Sequence, residues 1–111
     1  MELPAFIRAF PALDLPLPDT AVSANAMQTE QGLAVFFTFH EDVELPAHSH
    51  GAQWGTVLAG QVALIRDGEE RVFHPGESYM IDTGVAHSAR VAAGSVVLDV
   101  FEEADRYPVR A

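Results

Sequence analysis

The chain has no cysteine and no lysine. Without cysteine there is no disulfide framework, no thiolate nucleophile and no cysteine-held metal, and a reducing compartment is permitted. Its positive charge comes from 6 arginines against 16 acidic residues, a formal net charge of −10. Those arginines do not cluster, which argues against nucleic acid and against an anionic membrane surface as partners, since both need concentrated positive charge. Long apolar runs are missing as well. The opening M-E-L-P-A-F-I-R-A-F-P carries Glu2 and Pro4 and reads as neither a signal peptide nor a membrane span. These absences lead to the expectation of a soluble, cytoplasmic protein that takes a small molecule as its partner.

What is present is apolar and short-ranged. At 111 residues with 49% hydrophobic content, the chain is expected to form one domain with a real core. Pro4, Pro11, Pro16 and Pro18 fall early and disfavour helix, so residues 1–20 are expected to form an extended arm. Phe6, Ile7, Phe10, Leu13, Leu15 and Leu17 are too apolar for a solvated tail, and the arm should lie across a sheet or a partner subunit.

Residues 21–111 read as strands cut by turns. G-L-A-V-F-F-T-F, W-G-T-V-L, Q-V-A-L-I, E-R-V-F, S-Y-M-I, H-S-A-R-V and S-V-V-L-D-V-F are rich in β-branched and aromatic residues. Turn residues separate them, and Asp67-Gly68 is the strongest hairpin signal among these. Nothing between Gly32 and Phe101 has helical periodicity, so the expected class is all-β.

The chemistry concentrates in P-A-H-S-H-G-A-Q-W-G-T-V-L-A-G, from Pro46 to Gly60. On an extended strand, residues two apart share a face, so His48 and His50 can aim at one point as metal ligands. His87, in D-T-G-V-A-H, offers a third imidazole, also at a strand entrance. With Gln53 they supply three nitrogens and an amide oxygen and leave open positions for water or substrate. The ion would be one divalent metal: Zn, Fe, Ni or Mn. His40 and His74 sit at strand ends and read as surface residues. Trp54, next to an inward Gln53, should face outward as a packing or dimer-contact residue. Asp99 lies mid-strand, where a carboxylate is costly to bury unless paired; it suits either a pocket acid or an arginine partner. Phe37, Phe39 and Tyr79 join it as pocket candidates.

The stretch from Pro46 to Gly60 resembles the first motif of the cupin superfamily, and P-G-E-S-Y-M-I-D-T-G-V-A-H resembles the second, with Gly76, Gly84 and His87 matching in type and spacing. The resemblance spans roughly Val43 to Val91. It implies a double-stranded β-helix, an RmlC-like jelly-roll barrel over residues 21–111, with metal held by His48, His50, Gln53 and His87. Gln53 stands where most metal-binding cupins have glutamate, Asp82 replaces a proline and Val91 an asparagine. A glutamine can ligate through its carbonyl oxygen but cannot serve as a general base.

On this reading the protein is a metal-dependent enzyme of oxygenase or isomerase type acting on a small organic substrate. The alternative is a non-catalytic module that binds or senses a small ligand. Metal-free sugar-nucleotide epimerisation is disfavoured by the shortage of positive charge. A homodimer is expected from the apolar arm and from open sheet edges.

Overall fold

The computed structural model describes the chain from Met1 to Ala111. After a four-residue helix α1 (Ala5–Arg8), it is built of strands β1 (Val22–Thr29), β2 (Gly32–Phe39), β3 (Val43–His48), β4 (Gln53–Ala59), β5 (Val62–Arg66), β6 (Glu69–Phe73), β7 (Ser78–Ile81), β8 (His87–Val91) and β9 (Val96–Phe101). They form two antiparallel sheets, one in the order β1-β2-β9-β4-β7 and one in the order β3-β8-β5-β6. The expected all-β jelly roll is the fold. No helix is long and apolar enough to cross a membrane.

Alternation along the strands decides which residues face inward. In β2, Leu33, Val35, Phe37 and Phe39 are buried, and the residues between them are not. Leu33, Val35, Val57, Phe73 and Ile81 lie almost wholly out of water between the sheets, each worth about 1.5–3 kcal/mol of burial. At the β5–β6 hairpin, Asp67 and Gly68 both take positive φ, 51° and 74°. This is the type I′ arrangement whose twist suits a two-residue connection.

The arm departs from the extended expectation in one turn of helix. Pro4 presets the helical entry, with the amides of Ile7 and Arg8 both donating to its carbonyl. Beyond Phe10 the arm lies on its own sheet, where the Ala26 amide donates to the Pro11 carbonyl at 2.9 Å and the Asn25 side-chain amide donates to the Arg8 and Phe10 carbonyls, both at 3.1 Å. The C-terminal tail runs beside it: Leu13 bridges Val109, and the Arg110 guanidinium donates to Asp14 and Asp19 at 2.9 Å each. Leu3 and Leu13 are buried as a result, and Leu15 and Leu17 pack against the main core.

Candidate metal centre

His48 and His50 reach a common point by a different route from a shared strand face. β3 ends at His48 after a register irregularity between Leu45 and His48, and His50 lies in the loop that follows. The chain leaves the strand before the two-residue alternation can apply. What brings the rings together is pairing across the sheet, since His48 is the partner of His87, the first residue of β8, with the loop folding His50 over both. The ring centroids are 4.3 Å apart for His48 and His87, 4.9 Å for His50 and His87, and 5.2 Å for His48 and His50. One ligand atom from each imidazole lies within 4.8 Å of the others.

Each ring is held through its Nδ1 to a backbone carbonyl: His48 to Pro46 at 2.7 Å, His50 to Gly51 at 2.7 Å and His87 to Val85 at 2.9 Å. A carbonyl only accepts, so each Nδ1 carries the proton and each Nε2 keeps a free lone pair. Burial also holds His50 and His87 below the usual histidine range, and the neighbouring imidazoles and Arg106 push the same way. Neutral rings with their second nitrogen already bonded are what a metal requires of histidine.

Behind the imidazoles the two sheets enclose a cavity of about 90 Å³, lined mostly by apolar side chains. Phe37, Phe39, Tyr79 and Asp99 all line it, as do Gln53, His48, His50 and His87. The register aligns Tyr79, Gly55 and Asp99 across β7, β4 and β9. Gly55 is needed there because a Cβ would overlap both the Asp99 carboxylate and the Tyr79 ring. Through that gap the Tyr79 hydroxyl donates to Asp99 Oδ1 at 2.7 Å.

Burial raises the Asp99 carboxyl from 3.8 to about 6, against the opposing pull of hydrogen bonds from Tyr79 and from the Gln53 amide. Burial, together with the adjacent carboxylate, also pushes the Tyr79 hydroxyl well above its ordinary value. Asp99 is therefore a pocket acid with a tyrosine partner rather than an arginine partner. His40 and His74 are on the surface, bonded to Ser23 and Glu77 respectively. Trp54 faces outward.

Sequence reasoning missed four contributors to this end of the barrel. Leu15 and Leu17 from the arm and Tyr107 from the tail wall the cavity. Arg106 stacks its guanidinium 4.4 Å from the Tyr107 ring centre, and its buried Nε has no hydrogen-bond partner. These residues lie outside the strand pattern, and nothing in their local sequence indicates a place at the site.

The family model described as Cupin domain matches residues 35–101. Among solved structures, the chain is similar to KdgF from a Halomonas species, with 22% identity, 93% of this chain and 90% of that chain covered, and a TM-score of 0.71. It is similar to an RmlC-like cupin from Shewanella frigidimarina, with 22% identity, 99% and 94% covered, and a TM-score of 0.73. A third similar structure is AerE from Microcystis aeruginosa, with 18% identity and a TM-score of 0.70, covering 84% of this chain but 46% of that one. No curated protein matches the sequence significantly.

Proposed function

The chain belongs to the cupin family, and from that premise we propose that it is a metal-dependent enzyme of isomerase type acting on a small organic acid. The observation that carries the proposal is that three imidazoles with carbonyl-bonded Nδ1 atoms converge beside a cavity that also holds a buried carboxyl group.

The donor set fits a divalent ion. His48, His50 and His87 would hold it through Nε2, with the Gln53 carbonyl oxygen as a fourth donor while its amide nitrogen donates to Asp99. Bound there, the ion would act as a Lewis acid on a substrate oxygen. The protein's own contribution is proton handling. With a pKa of about 6, Asp99 can take a proton from a substrate carbon or oxygen and return it near neutral pH. The Tyr79 hydroxyl holds the carboxylate in one orientation between those steps.

The Arg106 charge acts on His50 and His87 and helps to keep both imidazoles neutral. The apolar walls exclude water from the exchange. Isomerisation is favoured over oxygenation because a buried acid with a pKa near 6 is suited to moving protons. A module that only binds a ligand has no need of a proton-transferring acid, and Asp99 places one in the cavity that the histidines line.

The test has two parts. Elemental analysis of the purified protein should find about one divalent ion per chain, and His87→Ala should lose it. The wild-type enzyme in D₂O should then exchange carbon-bound hydrogen next to the carbonyl of small keto acids, and Asp99→Asn should not. Metal retained by the His87 variant, or exchange that survives in the Asp99 variant, would refute the assignment.

A further inference from the structure

The strand registers sort the lining of the cavity into levels. On the four-stranded sheet His48 pairs with His87, the next inward residues are Leu45, Ala89 and Leu64, and beyond them stand Val91 and Val62. On the five-stranded sheet Gln53 is level with Phe101, Gly55 with Asp99 and Tyr79, and Phe37 with Val97. The His50 ring meets the Phe101 ring with centres 5.7 Å apart, which sets the histidine level against the Gln53 level. Phe37, Val62, Val91 and Val97 therefore lie on the far side of Asp99 from the imidazoles, all buried and all on the cavity wall.

Polar groups run out along this path. The imidazole Nδ1 atoms are bonded to carbonyls, and Tyr79 and Gln53 both donate to Asp99. Past Asp99, no strand side chain on the cavity wall carries a nitrogen or an oxygen. The hydroxyl of Tyr107 comes from the tail, on a ring that stands edge-on to Phe101 and Phe37. A ligand hydroxyl held among these strands would give up its bonds to water and find no side chain on them to replace those bonds.

We infer that the substrate carries a short aliphatic group into this level, so that its class is small keto acids with a plain hydrocarbon chain rather than hydroxylated, sugar-derived ones. The inference rests on the isomerase reading, which puts the oxygens of the acid at the histidine end and the reacting carbon beside Asp99. The chain beyond that carbon then has only hydrocarbon to enter. Size narrows the class further. A dry cavity of roughly 150 Å³ takes benzene, and the about 90 Å³ here suits a short aliphatic group better than a ring.

Two acids of the same shape isolate the effect. 4-Methyl-2-oxopentanoate and 4-hydroxy-2-oxopentanoate differ only in a methyl group against a hydroxyl, an exchange worth about 100-fold in an apolar pocket. Calorimetric titration of zinc-supplemented protein should find the methyl acid bound at least about tenfold more tightly than the hydroxy acid. A smaller preference, tighter binding of the hydroxy acid, or binding of neither overturns the inference.

Position is checked by nuclear Overhauser contacts on the same zinc-supplemented protein. The methyl protons of the bound acid should reach the Phe37 ring, and their failure to do so at saturation overturns the inference as well. Tyr107→Phe should keep the preference for the methyl acid; its loss would trace the preference to the tail hydroxyl instead of the strand walls. These failures are distinct from failure of the isomerase reading. That reading falls on metal content and deuterium exchange, and this inference falls on a ratio of affinities and a ligand position.

Discussion

Replacing Asp99 with asparagine keeps the shape of a buried side chain and removes its charge. In the native chain the Asp99 carboxyl titrates at about 6, against an ordinary 3.8, chiefly because burial disfavours the charged form. The folded state therefore holds a proton that the unfolded chain gives up. The stability this confers is fully present below pH 3.8 and is lost as the pH rises to about 6. The shift of about two pH units corresponds to about 3 kcal/mol of native stability that wild-type protein lacks above that window.

Asparagine has no such penalty, although it accepts a weaker hydrogen bond from Tyr79 than a carboxylate does. The expected outcome is an advantage of Asp99→Asn over wild type that widens by ~1–3 kcal/mol between pH 4 and pH 7 and then stays level. Urea unfolding of chelator-treated protein at a fixed concentration measures it, the difference between the two proteins cancelling every other titrating group. A gap that does not change with pH, or that narrows as pH rises, would show that Asp99 is not the buried acid described above.

Gly55→Ala should destabilise the fold by about 1–3 kcal/mol, because the added methyl overlaps the Asp99 carboxylate and the Tyr79 ring; a urea midpoint equal to wild type would contradict the close approach. Gln53→Glu places a second carboxyl group beside Asp99 and removes an amide donor, so chelated protein should lose about 1–3 kcal/mol at pH 8. If Gln53 ligates the metal, the same change should tighten metal binding in a calorimetric titration, and an unchanged affinity would place Gln53 outside the ligand set.

Class and motif were legible in the sequence because both depend on local pattern. The alternation in G-L-A-V-F-F-T-F fixes an inward face whatever the partner strands are, and the Asp67-Gly68 hairpin follows from the positive φ that its turn demands. His48, His50 and His87 could be named from their types and spacing, and Asp99 stood out as a carboxylate within a strong strand.

How these residues meet was not legible, because it rests on register and on loops. His50 joins His48 through a loop rather than a strand face, and His87 reaches them as a cross-strand partner. Tyr79 becomes the partner of Asp99 because Gly55 lies between them in the register, which strand pattern alone does not specify. Leu15, Leu17 and Tyr107 enter the cavity wall only once the termini fold back beside the barrel.

The sequence by itself determined an all-β chain carrying three histidines suited to a metal, since side-chain chemistry and two-residue periodicity are properties of short segments. Only the tertiary structure decided the protonated Nδ1 atoms and the buried acid behind the imidazoles. The first rests on carbonyls one or two residues away, which the strand ends and loops aim at each ring, and the second on the hydrogen-bonded register that sets Tyr79, Gly55 and Asp99 side by side from strands far apart in the chain.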